Sequence, residues 1–174
     1  QDHAVYQASR GMADYYDRIQ KKTADFLEIC CELGALVGGA SPEAAAKLAA
    51  YGHDIGMAFQ ITDDLLDIEQ TSEKIGKPAG NDIRQGIVTL PVIRALETSP
   101  AADELRAIVT DMDMTDEMVA RALDIVKSTD AVEFAKQKAD EYLAHAKAVL
   151  PEDLPDEIRE AYIMVADFIG DRDF

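Results

Sequence analysis

Apolar residues recur at three- and four-residue spacing along almost the whole chain, and strict alternation of apolar and polar positions is nearly absent. The elements this pattern predicts are helices. Tyr15 to Val37 reads as one long helix, with Tyr15, Ile19, Phe26, Ile29 and Leu33 as its apolar stripe and Gly38-Gly39 as its stop. Ser41-Pro42-Glu43 then restarts the chain with a capping hydroxyl, a proline at the first helical position and an acid in the first turn. That second helix runs to about Gln70. Residues 71–88 contain Gly76, Pro78, Gly80 and Gly86 and read as a loop with at most one turn of helix. Thr89-Leu90-Pro91 opens a third helix that ends near Glu97. Ser99-Pro100, Thr115-Asp116-Glu117 and Thr129-Asp130 start helices at about 100–111, 115–127 and 130–149, and a last one follows Pro155 and ends before Gly170. No repeat, low-complexity segment or linker breaks the series, so the expectation is one all-α domain over residues 1–174.

Charge narrows the partners. The 34 acidic residues outweigh 17 basic ones, for a net charge of −17. A general binder of nucleic acid or of an anionic membrane needs a basic face, so neither is expected, whereas divalent cations suit this balance. Cys30 and Cys31 are neighbours in a helix and point about 100° apart, which makes them poor disulfide partners. They read as reduced, buried core thiols, and hence as those of a cytoplasmic protein. No stretch approaches the roughly 20 apolar residues of a membrane span, and no signal peptide is visible. The chain opens on Gln1-Asp2-His3 without a Met, and is expected to be a fragment.

The second helix carries an anomaly. Gln60, Asp63, Asp64 and Asp67 fall at i, i+3, i+4 and i+7, one narrow face, with Gly56 and His53 further back on it. Most of the remaining circumference is Ile55, Met57, Ala58, Phe59, Ile61, Leu65, Leu66 and Ile68. A surface helix has a narrow apolar stripe and a broad polar face, and here the proportions are reversed. Such a helix should be buried nearly all round, with its carboxylates in a cleft. Like charges at this spacing repel, so a cation is expected among them. A solvated acidic face is the plainer alternative, but the inverted amphipathicity favours a metal site. Oxygen-only ligands suit Mg²⁺, or Mn²⁺, completed by water or phosphate oxygens.

Lys22 lies within the apolar stripe of the first helix and is followed by Thr23. Either it snorkels to the surface or it is held inside to bind an anion. The loop after the aspartates adds Lys74, Lys77 and Arg84 among glycines that let backbone N–H groups approach a phosphate. Divalent metal, lysine and basic loop together point to a diphosphate. His3, His53 and His145 are isolated in the sequence and suggest no metal triad, and residues 111–116 read as an ordinary turn between helices.

Lys22-Thr23-Ala24, Tyr51-Gly52, Ile55-Gly56, the run Phe59-Gln60-Ile61-Thr62-Asp63-Asp64-Leu65-Leu66-Asp67, Gly76-Lys77-Pro78, Asp82-Ile83-Arg84-Gln85-Gly86 and Thr89-Leu90-Pro91 closely resemble, in order and spacing, the trans-isoprenyl diphosphate synthases of the polyprenyl synthetase family. The resemblance implies the all-α isoprenoid synthase fold and the condensation of an allylic diphosphate with isopentenyl diphosphate. It implies that Asp63, Asp64 and Asp67 form the second aspartate-rich motif, with Asp63 the direct Mg²⁺ ligand. Lys22 and Lys77 would hold the allylic diphosphate, and Thr23 and Gln60 would line the site of the allylic cation.

Two departures qualify the resemblance. Ile87 stands where many short-chain members carry Lys, and the Gly86-Ile87-Val88-Thr89-Leu90-Pro91 form is closer to long-chain, hepta- or octaprenyl, synthases. The first aspartate-rich motif is absent and is expected upstream of Gln1, so the chain resembles the C-terminal half of a synthase. By itself it is expected to be incomplete as an enzyme and to associate, as a homodimer or larger oligomer. The rival expectation is a non-catalytic or regulatory subunit of a prenyl diphosphate synthase.

Overall fold

The structure is a computed structural model describing residues 11–69 and 79–171. Among these residues every regular element is a helix, as expected. In chain order they are α1 (Met12–Ile19), a π-helical segment (Gln20–Ala24), α2 (Asp25–Val37), α3 (Pro42–Glu69), α4 (Asn81–Arg84), α5 (Leu90–Thr98), α6 (Ala102–Val109), α7 (Asp116–Lys127), α8 (Ala131–Val149) and α9 (Asp156–Gly170).

The local punctuation does what its chemistry requires. Gly39 takes a left-handed φ of 83° after α2, its N–H donates to Leu36 O at 3.1 Å, and Ala40 N–H donates to Ala35 O at 3.0 Å. These two bonds satisfy carbonyls that the ending helix would otherwise orphan. Ser41 Oγ then accepts from Ala44 N–H at 3.2 Å and caps α3. Thr115 Oγ1 does the same for α7, accepting from Met118 N–H at 3.3 Å.

The first long helix is the main departure from the sequence reading. Its α-helical run is broken at Gln20–Ala24, where the π-helical turn accommodates one extra residue. Tyr15 and Ile19 are buried, but the next buried position is Ala24, five residues on, followed by the half-buried Leu27, Cys31 and Ala35. The face that meets the core therefore rotates by one residue. Phe26, Ile29 and Leu33, expected as core, are 67%, 53% and 55% exposed, and Lys22 is exposed as well. The same rotation corrects the reading of the cysteines as two buried core thiols. Cys31 is half-buried and its thiol is pushed up by burial and then by Cys30, which is itself exposed.

The described chain divides into two compact units, one of residues 16–62 and 137–171 and one of residues 11–15, 63–69 and 79–136. In the first, Leu48, Tyr51, Ile55 and Ala58 of α3 pack with Leu143 and Ala146 of α8, Leu150, and Ala166 and Ile169 of α9. Leu27, Cys31 and Ala35 of α2 lie against this core. The approach of α3 to the π-helical segment and α2 is close enough to exclude side chains. A Cβ on Gly52 would sit 2.5 Å from Leu27 O, and one on Gly56 would sit 2.5 Å from Ala24 Cα.

Buried polar groups in this unit are partnered. Tyr51 donates to Tyr162 O at 2.8 Å while the two rings meet edge to face at 4.7 Å, and burial raises the Tyr51 phenol well above its ordinary value. Asp54, 6% exposed, has His145 Nδ1 at 2.5 Å and His53 Nδ1 at 3.3 Å. His53 and His145 are thus not isolated, as the sequence suggested: a buried carboxylate needs hydrogen-bond donors and these imidazoles supply them. His3 lies outside the described residues.

In the second unit α5, with Leu90, Val92, Ile93 and Ala95 buried, packs against α6 and α7. Gly80, with φ of 76°, precedes α4 where a Cβ would meet Val119 Cγ1 at 2.7 Å, so only glycine brings α4 onto α7. Arg94 of α5 reaches both carboxylate oxygens of Asp130, at 3.0 and 2.5 Å, and lies 4.9 Å from the Phe134 ring centre.

Candidate functional site

Helix α3 is apolar on most of its circumference and is buried on most of it. Ile55, Met57, Ala58, Ile61, Leu65 and Ile68 are all buried, as are Gln60 and Thr62. Asp63, Asp64 and Asp67 are half-buried along the remaining strip of the same unbroken helix. A strip of three carboxylates between buried flanks is the inverse of a solubilising face.

Asp64 and Asp67 are held by groups of their own unit, which takes in Tyr15 as well as the residues from Asp63 on. Tyr15 of α1 donates its hydroxyl to Asp64 Oδ2 at 2.7 Å. Asp67 accepts from two backbone N–H groups at the start of α4, Asn81 to Oδ1 at 3.0 Å and Asp82 to Oδ2 at 2.9 Å, while Gly80 N–H donates to Asp67 O at 2.9 Å. Asp67 is therefore the cap that α4 lacks in its own sequence, since the residue before Asn81 is Gly80. Each Asp67 oxygen keeps a lone pair, but the side chain is held by the backbone it caps. Arg84, read in the sequence as a third basic group of the loop, is engaged with Asp116 at 2.6 Å. Ile87 is half-buried, and its N–H donates to Asp82 O at 2.8 Å.

In the other unit Thr23 donates Oγ1–H to Gln60 Oε1 at 2.5 Å, joining the π-helical segment to α3. This segment passes over Gly56, whose missing side chain makes room for Ala24. Lys22 and Thr23 thus sit on the one irregular turn of the first long helix, the kind of π-bulge that recurs at functional positions. Lys22 makes no ion pair with the described residues and is exposed, the surface placement of the two that its sequence position left open; the apolar stripe it was read in is displaced by the π turn. Its neighbour Lys21 pairs with Asp17 at 2.7 Å. Lys77, together with Lys74, Gly76 and Pro78, lies outside the described residues.

Sequence reading missed three features. Tyr15 looked like a member of an apolar stripe, yet its hydroxyl bonds an aspartate 49 residues away. The capping role of Asp67 depends on a backbone 14 residues on. The π turn leaves no mark in residue type. The available hint for Tyr15 was a phenol where packing alone needs only a ring.

Among the described residues no three His, Cys, Asp or Glu side chains are grouped to hold a metal by themselves. A divalent ion here would take one or two carboxylates and complete its shell from phosphate oxygens and water. Mg²⁺ commonly binds in that way, so the donor set fits such an ion arriving with an anion.

Known proteins carry the same pattern. The family model for polyprenyl synthetase matches residues 2–126. The chain is 39% identical over 170 residues to "Heptaprenyl diphosphate synthase component 2" of Geobacillus stearothermophilus, covering 97% of this chain and 52% of that protein. It is 39% identical over 160 residues to "Short chain isoprenyl diphosphate synthase" of Methanothermobacter thermautotrophicus, covering 92% of this chain and 49% of the other. The crystal structure of a polyprenyl synthase from Caulobacter crescentus, complexed with calcium and isoprenyl diphosphate, superposes with a TM-score of 0.87 at 30% identity, over 99% of this chain and 53% of that one. The chain belongs to the polyprenyl synthetase family and has the all-α isoprenoid synthase fold. The family uses divalent metal ions. The chain spans about half the length of the curated relatives it matches, 52% and 49% of the two above. None of its described helices is long and apolar enough to cross a membrane.

Proposed function

We propose that this chain is the C-terminal half of a polyprenyl synthetase domain, and that it serves the condensation of an allylic diphosphate with isopentenyl diphosphate to a polyprenyl diphosphate. The observation that carries the reading is α3 itself: buried on most of its surface, with Asp63, Asp64 and Asp67 half-exposed along one strip. Asp63 and Asp64 are the Mg²⁺ ligands, with Mn²⁺ as a substitute, and Asp67 supports them from its capping position. The ion, when bound, neutralises charge that builds on the departing diphosphate. Lys22, exposed and without an ion pair to the described residues, and Lys77 hold that diphosphate through charge. When the allylic C–O bond breaks, the double bond of isopentenyl diphosphate attacks the cation, and Thr23 and Gln60 offer it neutral dipoles. The proton then lost goes to the released diphosphate, so the reaction asks for no side-chain base.

Calorimetry on the purified chain tests this. Mg²⁺ affinity should rise by about tenfold or more when pyrophosphate is added, because neither ion alone balances the charge of the strip and the lysines. Equal affinity with and without pyrophosphate would sink the reading. That result would favour a second one, a non-catalytic or regulatory subunit. Two relatives are named component 2 of a heptaprenyl diphosphate synthase, which supports a role as one subunit of a larger enzyme, whether catalytic or not.

We propose further that the chain works as an oligomer, most simply a homodimer. Phe26, Ile29, Leu33 and Val37 of α2, and Met164 and Phe168 of α9, leave apolar surface uncovered. Surface of that kind promotes association. Light scattering should give a mass of at least twice 19.0 kDa, and a monodisperse monomer at micromolar concentration would refute the proposal.

A further inference from the structure

We infer that Tyr15 is a positioning residue for Asp64, fixing through its hydroxyl the orientation of a carboxylate that takes part in binding a metal ion; the inference rests on the reading of Asp63 and Asp64 as metal ligands. Tyr15 is 2% exposed on α1. Phenylalanine would fill the same volume, so packing alone does not require the hydroxyl. A buried phenol needs a partner, and this one donates to Asp64 Oδ2 at 2.7 Å. The acceptor is half-buried and belongs to the aspartate pair Asp63-Asp64. A hydrogen bond to a carboxylate is short and strong compared with one to a neutral acceptor. It fixes the Asp64 side chain before any ion arrives, so that freedom is lost on folding and not on binding. Groups that orient a metal ligand in this way typically matter by tenfold or more in metal affinity.

The reading separates Tyr15 from its neighbour. Tyr16 is half-buried, and its phenol is raised by burial and then by the charge of Glu141 on α8, in the unit of residues 16–62 and 137–171. Tyr16→Phe therefore serves as the control.

The experiment uses the purified chain, with Mn²⁺ as a paramagnetic probe read by electron spin resonance in saturating pyrophosphate. Tyr15→Phe should weaken Mn²⁺ binding about tenfold, or about 1.4 kcal/mol, with cooperative melting retained. Asp64→Asn should weaken it at least as much. The double variant should bind no worse than Asp64→Asn alone, because Tyr15 acts through that carboxylate. Tyr16→Phe should bind like the unaltered chain. Wild-type affinity in Tyr15→Phe, or additive losses in the double variant, would overturn the inference while leaving the metal reading intact. If the unaltered chain takes up no Mn²⁺ with pyrophosphate present, and Asp63→Asn changes nothing, the metal reading falls and takes this inference with it. Should Tyr15→Phe fail to fold, replacing tyrosine by a ring-fluorinated tyrosine of lower phenol pKa keeps the packing. It should alter Mn²⁺ affinity in the unaltered chain and not in Asp64→Asn; no change in either would overturn the inference.

Discussion

Replacing Asp63 and Asp64 together by asparagine should weaken pyrophosphate-dependent Mg²⁺ uptake by about a hundredfold or more and leave thermal unfolding cooperative. Both substitutions keep side-chain shape, and in Asp64→Asn the amide oxygen would still accept from the Tyr15 hydroxyl, so packing around α3 is preserved. What disappears is charge. A divalent ion near one carboxylate at about 4 Å gains several kcal/mol even at an effective dielectric of about 20, and two charges are removed. Against that, the folded state loses two like charges on adjacent half-buried positions, which is neutral or mildly stabilising. The signs therefore differ: binding collapses and stability does not. Isothermal titration and a melting curve on the same sample would check both. Unchanged Mg²⁺ affinity in the double variant would show that the acidic strip is only a solvated surface.

Gly56→Ala should destabilise the chain by about 2 kcal/mol, lowering the melting temperature by roughly 4–8 °C. In an ordinary helix interior the change would help, since Ala is favoured over Gly by about 1 kcal/mol. Here the added Cβ would meet Ala24 at 2.5 Å from Cα, 3.0 Å from N and 3.1 Å from Cβ. Two of those atoms are backbone, so the π-helical segment itself would have to move, and overpacking of that kind costs about 1–3 kcal/mol or more. Gly34→Ala in α2 is the matched comparison, because nothing lies within 4 Å of its Cβ position. That variant should gain up to about 1 kcal/mol. If both glycines respond alike to alanine, the close approach of α3 to Gln20–Ala24 is wrong.

Much of the architecture was legible in the amino-acid order because helix ends are local. Ser41-Pro42, Gly39, the proline of Leu90-Pro91 and Thr115 act through backbone groups within a few residues, so their meaning does not depend on the rest of the fold. The acidic strip of α3 was legible for the same reason: spacing along one helix sets which residues share a face. The family motifs added the chemistry expected of that face.

Other features were decided only in three dimensions. The π turn at Gln20–Ala24, which carries the exposed Lys22, rotates α2 by one residue, sending Phe26, Ile29, Cys30 and Leu33 outward and Leu27, Cys31 and Ala35 inward. No residue type specifies such a turn; the segment adopts it where α3, narrowed by Gly52 and Gly56, comes within backbone distance. The partners of Asp64, Asp67 and Asp54 lie 49, 14 and 91 residues away in the chain, at Tyr15, Asn81 and His145. Hydropathy spacing describes a helix as an isolated cylinder, so it can say which side chains share a face. Which neighbour meets that face, and whether a buried hydroxyl or carboxylate finds its donor there, follows from the packing of elements far apart in sequence.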